Sequence, residues 1–236
     1  MVQFSGMLRF VLLLVLSFGT AYGHCATLYY LHGKIVEDQG DNAVHPSYGT
    51  YQYGAILQGL KQDGHTVISE VRASGTDPKS YAKGLADAIT KQIADGTPPA
   101  DIVVIGFSKG AQIGILVSQM LARTDVRFVF QAVCGSWVAH YRELKVYGNI
   151  LSLYETSDSA GSCASLFARS KPITCEVAIT TGEKHGAFYR PHADWMNPLR
   201  AWIAREYCQS DMLLDASVGH PIVDSALRAD QILGLH

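Results

Sequence analysis

Val104-Ile-Gly-Phe-Ser-Lys-Gly-Ala-Gln-Ile-Gly114 stands near the middle of the 236-residue chain. An apolar strand, Asp101-Ile-Val-Val-Ile-Gly106, runs into it, and a helical pattern from Ala111 to Leu121 leaves it. Between them lies Gly106-Phe-Ser-Lys-Gly110, the only GxSxG of the sequence. A sharp strand-to-helix turn strains the serine backbone and passes close to neighbouring chain, so small residues are required on both sides. It lifts the Ser108 hydroxyl to a helix N-terminus, where backbone N–H groups and the helix dipole favour a developing negative charge. The competing reading is a glycine-rich phosphate turn. A dinucleotide fingerprint would read GxGxxG after the first strand and a phosphate loop GxxxxGK[ST]. This segment follows the third strand and matches neither.

Outward from that turn, short apolar runs alternate with amphipathic stretches. Strands are expected at 26–31, 66–71, 101–106, 127–133, 149–154 and 173–179, and helices at 51–62, 78–95, 111–121, 163–169 and 194–207. Asp77 and Pro78 supply a cap and a favoured first helical residue. Continuous apolar strands separated by helices predict a mostly parallel sheet of about six strands, buried on both faces in a three-layer α/β/α sandwich.

A serine hydroxyl needs an oriented base to become a nucleophile. Strand 149–154 runs into Tyr154-Glu-Thr-Ser-Asp-Ser-Ala-Gly161, offering Glu155 and Asp158. Asp158 is preferred, because its loop offset gives it reach, whereas Glu155 directly follows the strand. Strand 173–179 runs into Thr180-Thr-Gly-Glu-Lys-His-Gly-Ala-Phe188, where His185 sits in a glycine-flanked turn and is the expected general base. Of the nine histidines, His32 is expected to shape its loop, His65 to face solvent, and His45 and His192 to lie in loops or at a helix start. Glu70 and Arg72 finish a strand at the sheet edge where ligands of open α/β sheets bind. They are candidates for anchoring substrate, with a solvated or internal ion pair as the alternative. No HxxxH or carboxylate cluster has metal-ligand spacing, so neither a metal nor another cofactor is expected.

Composition sets wider bounds. With 17% charged residues, 48% hydrophobic residues and a net charge of −2, the chain is ordinary globular material with no electrostatic case for nucleic acid. Arg9 precedes the apolar run Phe10 to Gly19, and Ala21-Tyr-Gly23 is a small-x-small site. Residues 1–23 are therefore expected to be a signal peptide, the run being shorter than the about 20 residues a membrane span needs. The product would be periplasmic or secreted, with no stable membrane insertion after cleavage. A folded domain over 24–208 and a tail over 209–236 complete the organisation. The five cysteines would then lie in an oxidising compartment. Cys163 and Cys175 are the nearest pair in sequence, although small buried hydrophobes are an equally good reading of most of the five.

Residues 26–207 resemble the α/β-hydrolase superfamily, and more narrowly its small, capless bacterial serine hydrolases of esterase type. The resemblance rests on GFSKG, YETSD, KHGAF and Leu31-His-Gly-Lys34, and on YLHGKIVEDQG and VISEVRASGTD. It implies an acyl-enzyme route through Ser108, His185 and Asp158, with an oxyanion held by the backbone N–H groups of Lys109 and Lys34. The substrate would be an acyl ester or thioester. Peptidases, amidases and acyltransferases use the same triad, and a noncatalytic binding protein of this fold is the alternative from another class. Residues 134–148 leave no room for a cap domain, which implies an open site shaped by Trp137, Tyr141 and a long loop from Lys34 to Tyr48. Because the site would use its backbone N–H, the Lys109 side chain is expected to be free to vary, and its charge near the mouth would favour anionic substrates.

Overall fold

The computed structural model describes residues 25–170 and 172–205. The expected signal peptide, Cys208 and the tail therefore lie outside the described residues. Six strands form the sheet: β1 (Thr27–Leu31), β4 (Thr66–Ile68), β5 (Ile102–Phe107), β6 (Arg127–Gln131), β7 (Asn149–Glu155) and β8 (Ile173–Ile179), in the order β4-β1-β5-β6-β7-β8. Every pairing in it is parallel. β2 (Val44–His45) and β3 (Gly49–Thr50) make a separate small antiparallel pair.

Period-two alternation along β5 divides the interior into two cores. Val103, Ile105 and Phe107 point to the face covered by α2 (Tyr53–Lys61) and α7 (Ala193–Ile203), whose Ile56, Leu60, Trp195, Leu199 and Trp202 pack there. Ile102 and Val104 point to the face covered by α3 (Pro78–Ala94), α4 (Lys109–Leu121) and α6 (Ala164–Ser170), which contribute Ala86, Ile89, Ile113, Val117 and Leu166. All six residues of β5 are buried. A strand covered on both faces has no polar side, which is why its sequence reads as one apolar run.

Several boundaries move for local reasons. β4 ends at Ile68, not Val71, because the Ser69 hydroxyl donates to the Tyr30 carbonyl at 2.7 Å and the chain then leaves the edge. β6 ends at Gln131, not Val133: Ala132 turns to φ +50° and its N–H goes to the Leu153 carbonyl. α7 ends at Ile203, and the expected continuation to Tyr207 runs beyond the described residues. The expected loop from Lys34 to Tyr48 holds α1 (Lys34–Gln39) and β2, and α5 (Ser136–His140) follows β6.

Cysteine pairing does not follow proximity in sequence. Cys163 is bonded to Cys134 and not to Cys175, which is itself disulfide-bonded. β6 and β7 are sheet neighbours, so the segments leaving them run side by side and bring the two Cα atoms to 5.0 Å. A Cβ on Gly135 would lie 2.4 Å from the Ser159 carbonyl oxygen, a measure of how closely these segments pack. Cys25 is free and exposed.

Candidate active site

The turn between β5 and α4 has the strain its sequence implies. Ser108 is at φ +53°, ψ −118°, sparsely allowed for a residue with a Cβ. Its N–H donates to the Gln131 carbonyl at 2.9 Å, and its carbonyl accepts from Ala111 and Gln112 in the first turn of α4. The flanking glycines are required by space. A Cβ on Gly106 would sit 2.5 Å from the Gly110 carbonyl oxygen, and one on Gly110 would sit 1.9 Å from the Leu31 carbonyl oxygen. The elbow is thus pressed against the end of β1. Ser108 caps α4 without a side-chain cap bond, and its hydroxyl makes no hydrogen bond among the described residues.

Two more loops converge here. His185 lies in a 3-10 turn (Lys184–Phe188) after β8, and its Nδ1 is 2.7 Å from Asp158 Oδ2. The Asp158 side chain is 6% exposed and that of His185 is 24% exposed, so the carboxylate is shielded while the imidazole keeps an open edge. The ring of Phe107, next to Ser108 in sequence, lies 4.8 Å from the imidazole centroid. Tyr48 approaches from the β2–β3 turn, 6.5 Å from His185 by ring centroid and stacked on His45 at 4.4 Å. A Cβ on Gly186 would be 2.9 Å from the Tyr48 ring.

Glu155, the less preferred acid of the sequence reading, is engaged by other groups. It is fully buried at the end of β7, accepting from the Ser157 N–H and hydroxyl and from the N–H groups of Thr181 and Gly182. Burial pushes its carboxyl up, but the hydrogen bonds from Ser157, Gly182 and Thr181 outweigh that and hold it below the usual range. One carboxylate therefore ties the Asp158 loop to the His185 loop.

On the opposite side, Gly33 caps α1 and Lys34 is its first residue, as Lys109 is the first residue of α4. A Cβ on Gly33 would lie 3.6 Å from Ser108 Cβ, so the two helix starts meet at the serine. His32 is buried. Its Nε2 accepts from the Arg72 N–H at 3.0 Å, which leaves the ring proton on Nδ1, 2.8 Å from the Gly33 carbonyl oxygen. Burial, helped by the Arg72 charge, lowers its pKa to about 4, so it is a neutral ring that shapes the loop.

The remaining expected residues are placed as follows. Arg72 is 3% exposed and forms an internal ion pair with Glu37 at 3.5 Å, the alternative to substrate anchoring. Glu70 accepts from the Tyr81 hydroxyl at 2.9 Å. Trp137 and Tyr141 pair with each other at 5.6 Å, Tyr141 being exposed. A cleft of about 530 Å³ beside the histidine turn is lined by Ser47, Tyr48, Gly182, Glu183, Lys184, Gly186 and Arg190. His192 caps α7, and His65 Nδ1 accepts from the Ala26 N–H. The Lys109 side chain, expected to carry its charge near the mouth, is held by internal partners. It is 14% exposed, with Nζ 2.5 Å from Glu37 Oε1 and donating to the Thr76 carbonyl at 2.7 Å. Phe107 was visible in the sequence only as the variable residue inside GFSKG, and Glu37 and Tyr48 only as members of the loop from Lys34 to Tyr48 expected to shape the site.

No family model matches the sequence, and no curated protein matches it. Among solved structures, SOBER1 from Arabidopsis thaliana is similar with a TM-score of 0.54 at 14% identity, over 77% of this chain and 98% of that one. A protein described as a predicted CIB-like hydrolase, from Thermoplasma acidophilum, is similar with a TM-score of 0.51 at 11% identity, over 78% of this chain and 88% of that one. The likeness is one of fold, a six-stranded parallel sheet between helical layers, and here residues 132–148 between β6 and β7 hold only the short α5.

Proposed function

We propose that this chain is a serine hydrolase that cleaves an acyl ester or thioester through a covalent intermediate on Ser108. The observation that carries the reading is the Asp158–His185 pair at 2.7 Å, its imidazole 4.8 Å by ring centroid from Phe107, the residue before a serine held at φ +53° on a helix N-terminus. With Nδ1–H donating to Asp158, the lone pair of His185 Nε2 is available as a base. Nε2 takes the Ser108 proton as Oγ adds to the acyl carbonyl. The oxyanion is held by the N–H groups of Lys109 and Lys34, and collapse expels the alcohol or thiol, which receives the proton from Nε2. Water, deprotonated by the same nitrogen, then releases the acid and restores Ser108. Asp158 stays ionised throughout and supports the imidazolium.

Labelling by a fluorophosphonate probe tests this reading. Wild type is expected to label, and Ser108→Ala and His185→Ala are not; equal labelling of Ser108→Ala would refute it. Turnover of nitrophenyl acyl esters against aminoacyl anilides separates an esterase from a peptidase. We also propose export to the periplasm or medium, supported by the Cys134–Cys163 bond, which persists in an oxidising compartment. N-terminal sequencing of the mature protein tests that: a start near residue 24 is expected, and a start at Met1 rejects it.

A further inference from the structure

The acyl mechanism uses Lys34 and Lys109 only through their backbone N–H groups, yet the elements carrying those groups are joined by a buried ionic contact. Glu37 is three residues after Lys34, hence on the same side of α1 one turn later. Its side chain is fully buried and meets two cations: Lys109 Nζ at 2.5 Å on Oε1 and Arg72 Nε at 3.5 Å on Oε2. Arg72 continues the linkage. Its backbone N–H goes to His32 Nε2 and its guanidinium to the His32 carbonyl, immediately before Gly33. Lys109 Nζ also holds the Thr76 carbonyl, just ahead of α3.

A buried ion pair is a poor device for stability, since desolvating both ions costs about what their attraction returns. What it supplies here is geometry. α1 is only six residues long, and Gly33 gives it no side-chain cap bond, so little in its own sequence fixes where it begins. The Lys34 side chain does not help, being spent on an exposed i,i+4 pair with Asp38.

We propose that Glu37 and the Lys109 side chain, backed by Arg72, are positioning residues that hold the Lys34 and Lys109 N–H groups at one spacing around the oxyanion. The inference rests on the acyl-enzyme reading above. It gives the lysine after the nucleophile a role in rate, not in recognising substrate charge. Misplacing a preorganised donor by a fraction of an ångström weakens transition-state binding and leaves ground-state binding nearly unchanged.

The test uses the full chain and the double variant Glu37→Gln/Lys109→Met, which removes both charges at similar volume. Fluorophosphonate labelling taken to completion counts the competent Ser108, and kcat is expressed per labelled site on a neutral nitrophenyl ester. The expected result is a lowered unfolding temperature, because the buried Arg72 guanidinium loses its Glu37 partner, with kcat per site of the folded protein lowered on the order of 10- to 100-fold and KM altered less than about threefold. Lys109→Arg is expected to retain more kcat than the double variant. Unchanged kcat per site in the double variant would show the pair to be packing alone and overturn the inference while the hydrolase reading survives. Should the double variant not fold, Lys109→Met alone, which leaves the Glu37–Arg72 pair in place, decides: lowered kcat per site at unchanged KM supports the inference, and wild-type kcat overturns it. A wild type that does not label at Ser108 removes the acyl-enzyme reading and this inference with it.

Discussion

The Gly182 N–H donates to Glu155 Oε1 at 2.9 Å, across the gap between the ends of β7 and β8. The carboxylate that accepts it also collects Thr181 and Ser157, so the loops bearing Asp158 and His185 are registered by one buried side chain. Glu155→Gln places an NH₂ where one set of donors now points. It is expected to cost about 1–3 kcal/mol of stability at neutral pH. Because the folded carboxyl is held below its ordinary 4.5, its contribution is complete above that value and fades as pH falls through the lower folded one. Urea midpoints from pH 7 to pH 3 should therefore show the gap between wild type and Glu155→Gln narrowing below pH 4.5. A constant gap would contradict the assignment.

Asp158→Asn keeps the shape of its loop but cannot hold the imidazole in the tautomer with a free Nε2. A fall in kcat of about 10⁴-fold is expected, with KM little changed. Steady-state kinetics on nitrophenyl esters checks it, and a loss under tenfold would point to another acid.

Strain at Ser108 is separable from its chemistry. Glycine reaches φ +53° without the Cβ penalty, so Ser108→Gly is expected to abolish turnover while raising stability by about 1 kcal/mol. Ser108→Ala abolishes turnover with no such gain. Thermal unfolding of the two variants side by side tells them apart.

Gly110→Ala puts a methyl group where the Leu31 carbonyl oxygen stands, at 1.9 Å. Backbone on both sides has to move, and a loss of about 3 kcal/mol is expected. Denaturant midpoints measure it, and a wild-type midpoint would mean the elbow sits further from β1.

Removing the Cys134–Cys163 bond frees a loop whose ends are 29 residues apart. Cys134→Ala/Cys163→Ala is expected to lose about 3–4 kcal/mol, chiefly by enlarging the unfolded ensemble. Guanidinium unfolding of the pair against wild type gives the value directly.

The sheet was legible because its strands are covered on both faces: β5 reads Ile-Val-Val-Ile-Gly-Phe, and no other local pattern accounts for that run. The sequence offered Ser108, Asp158 and His185 together because each lies just past a strand end, and parallel strands put those ends at one edge. α1 was hidden by its brevity and by a glycine cap that carries no side-chain signal. Lys109 read as a surface lysine, because its partner Glu37 is 72 residues away and meets it only when β1 and β5 pair. Sequence distance left the cysteine pairing open for the same reason, since Cys163 meets the segment after β6 and not the strand that follows it.

That last bond has a topological consequence. It closes residues 134–163 into a covalent ring containing all of β7 and the Asp158 loop, whose Thr156, Ser157 and Ser159 face solvent. A protease that cuts this outward-facing turn separates nothing: the two fragments remain one molecule until a reductant opens the ring.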